Sequence, residues 1–390
     1  MRMNALSTGG AKPSALTIVL VLYALIACAF PGSSHAAAAC SYDGGTDTVT
    51  ITVSNQFLEV SVQGGGIFTG SSDGSGGAQC GTATVANTEL VVISGSAGDE
   101  SVDLDIRGGD FAPGTIAEGV GTSEIEFAVD LVSGSDAVSL SAIAGNHSMV
   151  VGQDGSGNAV INLNGDNDGD ITVDNSGYPP SSWAAILLSN ESGTNTMSCA
   201  GDASTGAVAD FPCSFYGGTG VDTISGGNNS DSISAGAGAD IINAGDGSDY
   251  SINPGTGADS VVCGDGDDVV YETGDAGNAD ADTYVGGAGS DTISYDQRTQ
   301  AVWVSTDGVA DDGAFTGSNE QDNVDAGFER IFSGSGSDTL SISGLASAGL
   351  ISGGDGNDVI TGGNSDDSLA GGLGADTING GTGSDVIEGN

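Results

Sequence analysis

Thirteen aspartates stand at a near-constant spacing through the second half of the chain: Asp222, Asp231, Asp240, Asp249, Asp259, Asp268, Asp282, Asp291, Asp338, Asp358, Asp367, Asp376 and Asp385. Each is the sixth residue of a nonapeptide that opens on glycine or a small residue and places an aliphatic residue near its eighth position. The copies run GGTGVDTIS (217–225), GGNNSDSIS (226–234), AGAGADIIN (235–243) and AGDGSDYSI (244–252). After Asn253 come PGTGADSVV (254–262) and CGDGDDVVY (263–271), then a worn copy, GNADADTYV (277–285), and GGAGSDTIS (286–294). SGSGSDTLS (333–341) restarts the pattern, and four copies in unbroken register fill Gly353 to Glu388. A carboxylate in the same place of every copy, with 53 Asp+Glu against 5 Lys+Arg in the chain, has no basic partners to meet. Its available chemistry is to donate oxygen to a hard cation. The bland alternative is acidic, glycine-rich disorder.

The period dictates what positions these carboxylates. Nine residues are too few for a helical repeat but suit a six-residue turn followed by a three-residue strand. A chain that reverses at every turn needs glycine where φ is positive. The single aliphatic residue (Ile224, Ile233, Ile242, Val270, Ile293, Leu340, Ile360, Leu369, Ile378, Ile387) then points inward, so stacked copies give a thin parallel β-solenoid. One such side chain per nine residues does not offset the entropy of ordering all nine. The missing term is metal. Calcium takes six to eight oxygens from carboxylates and backbone carbonyls, and glycine-rich turns leave their carbonyls uncovered. Successive turns fall on alternate sides, so copies i and i+2 would stack and sandwich an ion.

The copies match GGxGxDxUx and so resemble the RTX (repeats-in-toxin), or haemolysin-type calcium-binding, proteins over about a third of the chain. The resemblance implies a parallel β-roll with multiple calcium ions in its turns, largely unfolded without them. It also implies carbonyl ligands from turn glycines such as Gly217, Gly218, Gly353, Gly354, Gly356, Gly371, Gly372 and Gly374. Type I-secreted members resemble one another in carrying an uncleaved carboxy-terminal secretion segment. Here only Gly389 and Asn390 follow the last copy, which points to export by the general secretory route and to end-to-end self-association or a chain cut short.

An amino-terminal targeting segment, 1–36, fits that route. Arg2 and Lys12 precede the apolar run Leu16 to Phe30, and Ser34-His35-Ala36 offers a cleavage site. Leu25-Ile26-Ala27-Cys28 also resembles a lipobox, which would anchor the protein at the cell surface through Cys28. Cleavage after Ala36 leaves Arg107, Arg298 and Arg330 as the basic residues, and so excludes nucleic acid as a partner. In an oxidising compartment Cys40–Cys80 and Cys199–Cys213 are plausible bridges, with Cys263 a free buried thiol. Residues 37–200 read as a β-rich region with alternating strands at 48–53, 101–107, 125–132 and 159–164, either an irregular solenoid or a sandwich. Two repeat blocks, 201–294 and 333–390, flank a spacer, 295–332, and the whole is all-β. QAVWVSTDG (300–308) reads as a strand capping or bracing the second block, with Trp303 a packing residue.

Catalytic signals are weak. The mature chain has one histidine, His147, read as a loop or edge residue, and no HExxH. GSSDG (70–74) satisfies G-x-S-x-G but sits in a polar run without a preceding core strand. No pair of acids stands out for glycoside hydrolysis, and polysaccharide epimerase or lyase chemistry would want more basic residues. YPPSSW (178–183) reads as a loop anchor or a sugar platform. The expectation is a secreted, non-enzymatic calcium-binding protein. The alternatives are a calcium-stiffened adhesin or matrix protein whose 37–200 region holds a cell-surface or glycan ligand, and a hydrolase with an unrecognised acidic site.

Overall fold

A computed structural model describes residues 39–389, apart from 54–56, 64–65, 71–77, 87, 89, 97–99, 106–124, 132–136, 143–147, 164–169, 175–184, 191, 274–280 and 315–319. The targeting segment with Cys28, His147, YPPSSW and most of GSSDG lie outside the described residues. The described chain is strand and turn, arranged as a two-faced solenoid.

One face is a 15-stranded sheet that runs the length of the molecule, from Ala78–Thr84 at one edge to Val386–Glu388 at the other. The opposite face is split between a 13-stranded sheet ending at Asn323–Val324 and a 5-stranded sheet containing Val302–Ser305. Within the repeats, strands pair in parallel with the strand two copies later. Ile224 thus stands beside Ile242 on one face, and Ile233 beside Ile252 on the other. Paired strands lie eighteen residues apart for Ile224 and Ile242 and nineteen for Ile233 and Ile252, and the strand's period of two turns these aliphatic side chains to the interior.

The amino-terminal region is the same solenoid, not a separate sandwich. Strands Phe57–Gln63, Ser101–Asp105, Ala137–Ala142 and Ala185–Asn190 pair in parallel and hand over directly to Cys213–Tyr216 of the repeat face. Antiparallel pairs such as Ala39–Asp43 with Thr48–Thr52 make this part irregular. Its strands bury two large side chains each, Val102 with Leu104 and Val138 with Leu140 for example. A repeat strand buries one, such as Ile233 or Ile242, beside an alanine. The core therefore narrows along the chain, and the carboxyl-terminal turns need some other source of cohesion.

Cys40–Cys80 and Cys199–Cys213 are disulfides, and Cys263 is a buried free thiol that takes the small first position of its copy. Two expectations for apolar residues change. Ile387 is 50% exposed and Ile378 only partly buried, because their strands form sheet edges with no further rung to cover them. Val302–Ser305 does brace the second block, pairing with Thr339–Ser341, but Trp303 does not pack inward. Val302 and Val304 occupy the core positions, which leaves Trp303 42% exposed beside Asp311 and Gln321 at a surface pocket.

Candidate metal centre

The turn aspartates form ladders through the backbone. The amide of Asp222 donates to Oδ1 of Asp240 at 2.7 Å, and that of Asp240 to Oδ1 of Asp259 at 2.7 Å. On the other face Asp231 donates to Asp249 at 2.6 Å, Asp249 to Asp268 at 2.8 Å and Asp268 to Asp291 at 2.9 Å. The second block repeats the link from Asp338 to Asp358, from Asp358 to Asp376 and from Asp367 to Asp385. One carboxylate oxygen thus fixes the stacking register. The other is bare: Oδ2 of Asp222, Asp240, Asp249, Asp259, Asp268, Asp291, Asp338 and Asp358 is buried without a hydrogen-bond partner.

A buried ionised oxygen with nothing to meet is costly, and the acidities register this. Burial, followed by the charges of neighbouring aspartates, pushes Asp249 and Asp259 up to about 8 and Asp291 to about 7. Asp222 and Asp358 rise to about 6, again chiefly through burial.

Glycine shapes the space those oxygens face. A Cβ on Gly217 would lie 2.4 Å from Asp222 Oδ2 and 2.4 Å from the Ala235 carbonyl oxygen, which belongs to the copy two later. On Gly353 it would lie 2.5 Å from Asp358 Oδ2 and 2.7 Å from the Gly371 carbonyl oxygen. At these two turns the bare carboxylate oxygen therefore converges with a backbone carbonyl of the next stacked turn. Gly354 and Gly356 have φ of +80° and +145°, and a Cβ on either would strike the carbonyl oxygen of Gly334 or Gly336. Among the described residues, no three His, Cys, Asp or Glu side chains converge as a metal-holding group. Any ion here is completed by backbone carbonyls. An all-oxygen set of carboxylates and carbonyls suits calcium, and the residues present fit it.

The structure divides the expected ligands. Asp231 and Asp367 have their Oδ2 taken by an amide of their own turn, from Gly227 at 2.7 Å and Gly363 at 2.6 Å. Asp282 Oδ2 lies 3.0 Å from the Tyr284 hydroxyl, which it shares with Glu272. Asp376 and Asp385 lie on the last two turns, where neighbours cover them less.

Several ladder members were missed from sequence. Asn195 takes the aspartate's place before Asp222, donating to its Oδ1 through the backbone at 2.9 Å and the side chain at 2.6 Å. Its signal was NESGTNTMS (190–198), which keeps Gly193 and Met197 at positions four and eight. Asp322 continues the row after Asp282, accepting its amide at 3.1 Å, and lies in GSNEQDNVD (317–325), a copy with glycine, aspartate and valine in place. Glu329 accepts the Asp291 amide at 3.0 Å. The ladders therefore cross the spacer.

At that crossing the chain buries a cation of its own. Arg298, 4% exposed, donates to Glu272 at 2.9 Å and to Glu320, and lies over the Tyr295 ring. The Tyr284 hydroxyl stands between Glu272 and Asp282 with one proton for the two of them, and Tyr295 donates to Asp322. Arg298 is the one basic side chain in this buried acidic group.

Four copies of the RTX calcium-binding nonapeptide repeat match the chain, over residues 216–250, 276–294, 344–378 and 352–387. No curated protein matches it. The turns are thus calcium-binding repeats, and the chain carries several sites for the ion. Residues 254–271 fall between the matches, yet Asp259 and Asp268 hold their places in both ladders.

Proposed function

We propose that this carrier of RTX calcium-binding repeats is a secreted, non-enzymatic protein whose carboxyl-terminal solenoid folds as it takes up calcium. The observation that carries the reading is the row of eight buried, unpartnered Oδ2 atoms, of which those of Asp222, Asp291 and Asp358 meet a carbonyl of the next stacked turn beside a glycine. Bound calcium supplies the positive charge that these turns lack. The chain's own residues do the rest. The Oδ1 acceptors set the register, the left-handed glycines turn the carbonyls, and the position-eight aliphatics close the interior.

Extracellular modules hold calcium at about 0.1–1 mM, so the same turns would be empty in cytosol and filled outside. A calcium-dependent fold suits a chain that crosses a membrane unfolded. The targeting segment, the two disulfides and the scarcity of basic residues support export and argue against a nucleic-acid partner. Isothermal titration of the chain from residue 37 tests the binding, and several calcium ions per chain are expected. No calcium uptake at millimolar concentration would refute it. Recovery of the protein from the medium with its amino terminus at Ala37 tests secretion, and retention in the cytosol with residues 1–36 intact would count against it.

A further inference from the structure

Among the Asp-bearing turns whose first four residues are described, two are built unlike the rest. In GGNNSDSIS (226–234) and GGNSDDSLA (362–370), position four is Asn229 and Ser365 instead of glycine; the worn copy before Asp282 has Asp280 at the same position. The difference has a steric cause. In the ordinary copies a Cβ at position four would lie 1.7 Å from the carbonyl oxygen of the turn beneath at Gly356, and 1.6 Å at Gly266. A residue with a side chain cannot take that path, so the turn is rerouted.

Position two shows the rerouting. Gly245, Gly264, Gly354 and Gly372 have φ between +80° and +111°; Gly334, in the turn of the bare Asp338, is outside the left-handed region, and so are Gly227 and Gly363. The amides of Gly227 and Gly363 point into their own turns. Gly227 donates to Asp231 Oδ2 at 2.7 Å, and Gly363 to Asp367 Oδ2 at 2.6 Å. The oxygen that is bare in Asp249 or Asp358 here accepts a charge-assisted hydrogen bond, although it still faces a carbonyl of the next stacked turn, that of Ala244 or Gly380. An N–H dipole pointing at the carboxylate also presents its positive end where a cation would approach.

We infer that the turns 226–231 and 362–367 are ion-free rungs, closed by their own backbone, and that Asn229 and Ser365 determine this. The inference rests on the reading that the bare turns take calcium. The two turns share a place in the fold. Each is the first Asp-bearing turn of its block on the 15-stranded face, following Cys213 or Gly349 at the aspartate's place. The chain thus starts each ladder on that face with a rung that needs no ion.

The test is native mass spectrometry of the chain from residue 37 at saturating calcium, counting bound ions. Asp249→Asn should bind fewer ions than the parent, while Asp231→Asn and Asp367→Asn should bind the parent number. If Asp231→Asn loses an ion as Asp249→Asn does, the inference is overturned. If Asp249→Asn loses none, the calcium reading itself fails. The double variant Asn229→Gly, Ser365→Gly gives a second arm that keeps both carboxylates. It should gain up to two ions, and an unchanged count overturns the inference.

Discussion

Asp240 donates its amide to Oδ1 of Asp259 at 2.7 Å, and the second oxygen of that same Asp259 is buried with nothing to accept from. One side chain therefore has two separable roles. Oδ1 ties neighbouring turns together whether or not an ion is bound, and Oδ2 is useful only when a cation is present.

The separation predicts the outcome of Asp259→Asn. An asparagine keeps an oxygen for the Asp240 amide and removes a buried charge. Without calcium the variant should be more stable than the parent, by about 1–3 kcal/mol, the usual cost of an unsatisfied buried group. With saturating calcium the order should reverse. Thermal melts in EGTA and in millimolar calcium check both signs.

Acid should imitate the ion in part. Folded-state values of about 8 for Asp249 and Asp259 and about 7 for Asp291, against an ordinary 3.8, mean the folded state holds more protons than the unfolded chain between about pH 4 and 8. Stability of the calcium-free protein therefore falls as pH rises through that window. Circular dichroism in EGTA should show more strand at pH 5 than at pH 8. Calcium should flatten the difference, and its binding at pH 7 should release protons.

Glycines at different places should respond differently to alanine. Gly217→Ala would set a Cβ 2.4 Å from both Asp222 Oδ2 and the Ala235 carbonyl oxygen, and should lower the calcium stoichiometry. Gly308→Ala meets nothing within 4 Å and bears only the penalty of φ +73°, about 1–2 kcal/mol. It should melt earlier with its ion count intact. Native mass spectrometry and melting curves separate the two.

Arg298→Met should act independently of calcium. Removing the cation leaves Glu272 and Glu320 buried and unpaired, which costs about 3–5 kcal/mol. Excess calcium should not restore the lost melting temperature.

The repeat geometry was legible because the nonapeptide fixes strand, turn and interior column together. Asp222 through Asp385 fell on the turns for that reason. The ladder members outside the strict pattern were legible only in part. Asn195 and Asp322 keep enough of the nonapeptide to have been found, whereas Glu329 sits where the turn is shortened and the register shifts after Asp291. The sequence marks the Asp231 turn by Asn229 in place of a glycine, but its effect, like the difference at Asp282, depends on where Gly227 and Tyr284 direct their donors. Trp303 was misread because an aromatic residue in a strand signals packing only once it is known which face its neighbours Val302 and Val304 take.

Ordered structure in the chain from residue 37, followed by far-ultraviolet circular dichroism and small-angle scattering through a calcium titration from EGTA, tests the central claim most directly. The account predicts that chelation expands the molecule and removes the strand signal of the repeats, with the wider amino-terminal core retained, and that calcium restores both cooperatively. An identical spectrum and radius of gyration with and without the ion would contradict it.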